Sequence, residues 1–351
     1  MILQPRILFV ANAGPDVGGG HVMRSLTLAK ALNAKGATCA FLATPEVGAV
    51  LDAFGPDMAR EDATSIDAEH LADAATGVAF DAVVFDHYGL ARAEHEAVAH
   101  GRPTLVIDDL ADRPLAADLV LDAGPARVAA DYAFFAGDAR LLLGPDYAPV
   151  RPEFAALREE TLARRGGQVL RVLVALGLTD LGRITSRVVD HLRQRNGQVA
   201  LDIVLGGAAG SLPGLRKVAA HDPRITLHVD TQDMAALTAA ADVAIGAAGS
   251  TTWERCVLGL PSALLILADN QRPAARALAA RDAALVVDAQ DADFEAVLDR
   301  AIVRLLSDAT TRARLSAASA EVCDGLGADR TAKAFLEVIA ARDASPQGGH
   351  P

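Results

Sequence analysis

The chain has 351 residues, 51% of them hydrophobic, which is long for one domain and comfortable for two. A net charge of -12 argues against a nucleic-acid partner, because phosphate backbones call for a basic surface. Cys39, Cys256 and Cys323 are widely spaced with no C-x-x-C pair, which fits neither a disulfide framework nor a zinc site and suits a reducing cytoplasm. No uninterrupted apolar run reaches membrane-spanning length, and the first apolar run is short and reads as a strand rather than as a signal peptide.

Arg6 to Asn12 reads as a buried strand. It runs into Gly18-Gly19-Gly20-His21, and Val22, Leu26, Ala29 and Leu32 then recur at helical spacing. Three glycines allow a tight turn and a close ligand approach, and the following helix start offers N–H donors to an anion. His21 falls at that end, as an imidazole able to accept a proton. A dinucleotide fingerprint is the weaker reading, since G-x-G-x-x-G needs glycine where Met23 stands.

Further strands are expected at 38–44, 79–86, 103–109, 119–122 and 139–144, with helical patterns between several of them. Polar residues gather where strands end: Asn12, Asp86, His87, Tyr88, Asp108 and Asp109. In open α/β sheets that edge binds ligands, although an aspartate after a strand is also ordinary turn chemistry. The acids of 108–112 lack partners at metal-ligand spacing and are read as loop residues.

From Pro149 to Gly167 the pattern changes to a charged helical stretch, expected to link two domains. Strands then resume at 170–176, 199–205, 225–228, 242–245 and 262–267. A second small-residue turn, Gly246-Ala247-Ala248-Gly249-Ser250-Thr251-Thr252, opens another helix, where Ser250 or Thr251 would otherwise be a plain N-cap. Its N–H and O–H groups suit a diphosphate, and Glu254, one turn on, suits sugar hydroxyls. The expected architecture is α/β, two Rossmann-like domains facing across a cleft. Their bounds are 1–155 and 168–342, with a last helix near 331–341 and a disordered tail at 343–351.

Taken as a set, these motifs carry a resemblance over nearly the whole chain. They are Gly20-His21-Val22-Met23-Arg24, Asp86-His87-Tyr88, Asp108-Asp109, Gly144-Pro145-Asp146-Tyr147-Ala148 with Arg151-Pro152-Glu153-Phe154, Gly177-x-Thr179-Asp180, Gly249 to Cys256 with Gly259-Leu260-Pro261, and Ala268-Asp269-Asn270-Gln271. The chain resembles the UDP-sugar hydrolases of pseudaminic acid biosynthesis, which serve surface or flagellin glycosylation and are similar in fold to GT-B glycosyltransferases. The resemblance implies metal-independent release of UDP from UDP-2,4-diacetamido-2,4,6-trideoxy-β-L-altropyranose, or a close diacetamido sugar, with no cofactor. It makes His21 the base that activates water, with Tyr88 beside it. It implies contacts to substrate or UDP by Gly20, Arg24, Asp109, Gly177, Thr179, Gly249, Ser250, Thr251, Glu254, Asn270 and Gln271. Where that family tends to carry an Arg-x-Asp pair, this chain has Val10 and Asn12. The competing readings are a GT-B glycosyltransferase using a UDP-sugar donor, and a non-catalytic nucleotide-sugar binder.

Overall fold

A computed structural model describes residues 4–14, 17–195 and 198–344. The chain divides into two compact units, one running up to Pro149 and resuming at Leu326, the other spanning Val150–Gly325.

The first unit holds β1 (Arg6–Ala11), β2 (Thr38–Ala43), β3 (Ala59–Asp62), β4 (Ala82–Asp86), β5 (Thr104–Ile107), β6 (Leu119–Asp122) and β7 (Arg140–Leu143). They form one parallel sheet in the order β3-β2-β1-β4-β5-β6-β7. The central strands are unbroken apolar runs: Phe9, Val10, Val83, Val84, Phe85 and Leu105 are fully buried. Such runs suit a sheet covered by helices on both faces.

The second unit repeats the plan with β8 (Arg171–Ala175), β9 (Ala200–Leu205), β10 (Ile225–Val229), β11 (Val243–Ala247), β12 (Ser262–Ile266) and β13 (Leu285–Asp288). Their order, again all parallel, is β10-β9-β8-β11-β12-β13. In both sheets the chain builds outward on one side of the first strand, then crosses to the other. That reversal creates a topological switch point, between β1 and β4 and between β8 and β11, where open α/β sheets place ligands.

The stretch expected to be a linker is instead part of the second unit. Helix Pro152–Ala163 is fastened to it by Arg158, whose guanidinium donates to the Cys323 carbonyl at 3.1 Å, the Ala320 carbonyl at 2.6 Å and the Val257 carbonyl. The second unit accordingly begins at Val150 rather than at 168, and ends at Gly325 rather than 342. The final helix, Gly327–Ala344, returns to the first unit, where Ala332 and Phe335 are fully buried in its core. Gly327 permits the return, because a Cβ there would collide with the backbone of Tyr147 and Ala148. Residues 343 and 344 belong to this helix, while the tail from Ser345 onward lies outside the described residues. All three cysteines are buried, and none of them forms a disulfide among the described residues. Among the described residues no helix is long and apolar enough to cross a membrane.

Candidate active site

The C-terminal ends of β1 and β4 deliver the first group of candidates. After β1 the chain passes through a Gly14–Gly18 bridge and enters helix Gly20–Ala34, with Gly20 as its first residue and His21 in its first turn. Gly18 takes φ +75°, a backbone region open to glycine. β4 ends on Asp86, fully buried beside β1.

His21 and Asp86 meet: Nδ1 of the imidazole lies 2.5 Å from Asp86 Oδ1. A carboxylate only accepts, so Nδ1 carries a proton, and in the neutral imidazole Nε2 is then the nitrogen with the lone pair. Among the described residues Nε2 has no hydrogen-bond partner, yet it is not sealed from solvent. Arg24, one turn along the helix, braces the same carboxylate, with Nε 2.7 Å from Oδ2 and Nη2 2.6 Å from Oδ1. Its Nη2 also lies 3.2 Å from His21 Nδ1, but the shorter bond goes to Oδ1. Ser25 Oγ donates to Oδ2 at 3.0 Å. Burial alone would favour a neutral Asp86; Arg24 and His21 outweigh it and hold the carboxyl well below the usual carboxylate range.

Arg24 reaches a second carboxylate, Asp109, with Nη1 at 2.7 and 3.0 Å from its two oxygens. Asp109 also accepts from the Tyr88 hydroxyl. The phenol ring stands edge-on to His21, with ring centroids 4.5 Å apart. Burial and the neighbouring Asp109 push the Tyr88 hydroxyl far up, so it remains a protonated phenol at neutral pH. Four of the expected residues, His21, Arg24, Tyr88 and Asp109, therefore lie in one hydrogen-bonded cluster. Arg24 and Asp109 pair with one another and with their neighbours Asp86 and Tyr88.

Asp86 is the member to which the sequence reading gave no role. Its signal was a lone acid closing an otherwise apolar strand, Ala82-Val83-Val84-Phe85. The adjacent polar residues are structural. His87 Nδ1 accepts from the Gly89 N–H at 3.0 Å, and burial pushes its imidazole down to about 4, keeping it neutral. Asp108 closes its loop by accepting from the Leu110 and Ala111 N–H groups, from Arg113 and from the Tyr132 hydroxyl. Val10 is buried within β1, and Asn12 follows the strand with its N–H on the Asp86 carbonyl at 3.1 Å.

The second group of candidates lies in the other unit, again at its switch point. β11 runs into the loop Ala248–Ser250 and then helix Thr251–Val257. Ser250 occupies the N-cap position but makes no side-chain cap bond, and Thr251, the first helical residue, accepts from Arg255 at Oγ1 at 3.1 Å. The N–H groups of Gly249, Ser250 and Thr251 find no acceptor among the described residues. Glu254 is largely buried, and its Oε1 is held by Arg151 at 2.9 Å from Nε and 2.8 Å from Nη2. Burial raises the Glu254 carboxyl and Arg151 opposes it. Among the described residues Oε2 accepts no hydrogen bond.

Gly177 and Thr179 sit in the loop leaving β8, the neighbour of β11. Gly177 takes φ +105°. That loop is fixed by Asp180, which accepts from Thr185 N at 3.0 Å, Thr185 Oγ1 at 2.6 Å and Ser211 Oγ. Beyond β12, Asn270 is exposed, whereas Gln271 folds its carboxamide back so that Oε1 accepts from Leu267 N at 2.9 Å. Gln271 Nε2 then borders the space over Gly249. Among the described residues no group of three His, Cys, Asp or Glu side chains is placed to hold a metal ion.

Comparison with known proteins agrees with this architecture. Residues 201–331 match the glycosyltransferase family 28 C-terminal domain. The chain is 27% identical over 197 residues to the spore coat polysaccharide biosynthesis protein SpsG of Bacillus subtilis, covering 54% of this chain and 56% of that protein. It thus spans little more than half the length of that relative. Over 277 residues it is 23% identical to the UDP-2,4-diacetamido-2,4,6-trideoxy-β-L-altropyranose hydrolase of Campylobacter jejuni, covering 78% of this chain and 96% of that one. The crystal structure of Acinetobacter baumannii MurG superposes with a TM-score of 0.67 at 18% identity, covering 95% of this chain and 99% of MurG. The fold is GT-B-like, built from two Rossmann-like domains.

Proposed function

We propose that this chain is an enzyme acting on a nucleotide sugar, and specifically a hydrolase that releases UDP from a UDP-diacetamido sugar of the 2,4-diacetamido-2,4,6-trideoxy-β-L-altropyranose class. The observation that carries the reading is the Asp86–His21 pair at the β1/β4 switch point, with Nε2 left as the acceptor. His21 Nε2 takes a proton from water as the water oxygen bonds to the anomeric carbon. The bond from that carbon to the diphosphate oxygen breaks, and UDP leaves with the electron pair. Asp86 fixes the tautomer and faces the imidazolium formed in this step. Arg24 keeps Asp86 ionised and oriented. Tyr88, its hydroxyl donated to Asp109, walls one side of His21. In the second unit the unpaired N–H groups of 249–251 suit a diphosphate, and Glu254 Oε2 suits a ribose hydroxyl. The Campylobacter relative supports the hydrolytic reading along nearly its whole length.

The match to the family 28 glycosyltransferase domain favours a second reading, transfer of the sugar to an acceptor other than water. Both readings use the same donor, and one assay separates them. UDP release is followed from UDP-2,4-diacetamido-2,4,6-trideoxy-β-L-altropyranose in excess chelator, with no acceptor added. Steady turnover that disappears in H21A supports the hydrolase. UDP binding without turnover until an acceptor is supplied would replace it with the transferase. Absence of UDP binding would end both.

A further inference from the structure

Arg255 follows Glu254 in the chain and is only 3% exposed. Its side chain runs back toward the start of its helix, as helical geometry directs. Nη2 donates to the Ala247 carbonyl at 2.7 Å and to Thr252 Oγ1 at 3.1 Å, and Nη1 donates to Thr251 Oγ1 at 3.1 Å. Nε is sealed from solvent and has no hydrogen-bond partner among the described residues. Gly246 makes room for this arrangement, because a Cβ there would collide with the guanidinium.

No described carboxylate pairs with Arg255; its neighbour Glu254 is held by Arg151. Arg151, Glu254 and Arg255 together carry one net positive charge, two cations against one anion. Burial pushes the Arg255 guanidinium down to about 10, which leaves it protonated at neutral pH. Arg312, the other buried arginine among the described residues, sits on the Leu305 and Leu306 carbonyls near the end of helix Phe294–Ser307. Of the part-buried arginines, Arg24 faces two carboxylates, while Arg158 and Arg165 donate to backbone carbonyls. Arg255 instead lies under a turn in which the Gly249, Ser250 and Thr251 N–H groups find no acceptor among the described residues, so that donors and a buried cation collect on one loop. A buried charge without a counterion is costly, and a bound anion would remove the cost.

We propose that Arg255 is a positioning residue for the diphosphate of the nucleotide. Through Thr251 and the Ala247 carbonyl it holds the turn 246–251, and it supplies the buried positive charge that the diphosphate neutralises. This rests on the nucleotide-sugar reading above, and it makes the second unit a discriminator of phosphate charge as well as of the nucleoside.

The test is calorimetric titration of UDP, UMP and uridine into full-length wild type, R255M, R255Q and R255K. R255M and R255Q are expected to lose about tenfold or more in UDP affinity, less in UMP and nothing in uridine, so that the UDP-to-uridine ratio collapses. R255K, which keeps the charge, restores most of that ratio. R255Q keeps a donor for the Ala247 carbonyl and carries the test should R255M not fold. Equal losses for all three ligands, or an unchanged UDP-to-uridine ratio in both neutral variants, would overturn the proposal and leave Arg255 a structural residue. Wild type that binds neither UDP nor uridine would instead remove the nucleotide reading, and this inference with it.

Discussion

The two units share a strand order up to their edges and place their candidate groups at the same topological point, yet the chemistry there is opposite. In the first unit every charge near the switch point is answered: Arg24 by Asp86 and Asp109, Asp86 by His21, Asp109 by Tyr88. One imidazole nitrogen remains open to solvent. In the second unit the turn is lined by small residues, and among the described residues the Gly249–Thr251 N–H groups lack acceptors and a cation lies beneath them without a carboxylate. A paired, rigid cluster with one open lone pair is a device for moving a proton. An unpaired, electropositive turn is a device for holding an anion. On the function proposed here, one fold would yield a base in one copy and an anion cradle in the other, according to whether the switch-point strand ends on an acid or runs into a glycine turn.

The largest expected effects break the first device alone. H21A should lower kcat by about 10²–10⁴-fold, the usual worth of a general base, while UDP affinity measured by calorimetry stays near wild type. D86N should fall in the same range, because an amide no longer enforces the Nδ1–H tautomer. Loss of UDP binding in either variant would show that the units do not divide the work in this way.

Next comes the converse. E254A should weaken UDP binding by about 1–3 kcal/mol, the cost of removing hydrogen bonds to a charged group, and leave kcat at saturation within a few-fold of wild type. Unchanged UDP affinity would move the ribose elsewhere.

The comparison also has a pH signature. Burial pushes His87 and His95 of the first unit down to about 4, against about 6.5 in an unfolded chain. The unfolded state therefore binds more protons between those values, so stability is full above about pH 6.5 and falls as pH drops toward 4. Each histidine contributes up to about 3 kcal/mol of this loss. Asp86 acts in the opposite range: its folded carboxyl is held low, so its contribution is intact above about pH 4 and lost only in stronger acid. Native-state hydrogen exchange from pH 7 to 4 should show first-unit amides losing protection early. The His95 ring packs tilted against Phe85 and its Nε2 is buried without a hydrogen-bond partner among the described residues, so H95F should flatten that dependence. Equal sensitivity in H95F would contradict the assignment.

The same contrast explains what was legible in the sequence. The central strands were readable because burial on both faces demands continuous apolar runs. The two strands that sequence patterning missed, β3 and β13, are both sheet edges: Ala59-Arg60-Glu61-Asp62 carries no apolar run, and Leu285–Asp288 is short and half-buried. His21 stands out because three glycines lead into it at a helix start. Asp86 does not, since an acid closing a strand looks like turn chemistry until the neighbouring strand brings His21 to it. Nor does any local pattern announce that Arg151 would meet Glu254 across 103 residues, or that the last helix would return to the first unit. Those are tertiary pairings, and sequence spacing does not encode them.

The smallest effect tests how far the first cluster acts through pairing alone. Y88F removes the hydroxyl donated to Asp109 and keeps the ring against His21. Asp109 retains two bonds from Arg24, so it is not orphaned, and the expected loss is about 0.5–1.5 kcal/mol of stability by denaturant titration. If Tyr88 acts mainly as a wall, kcat falls only a few-fold and KM is unchanged, whereas Y88A, which removes the ring, costs far more. A drop in Y88F as deep as in H21A would place the hydroxyl itself in the reaction. Because that hydroxyl stays protonated at neutral pH, its part would then be to hydrogen-bond the attacking water or the sugar rather than to take up a proton.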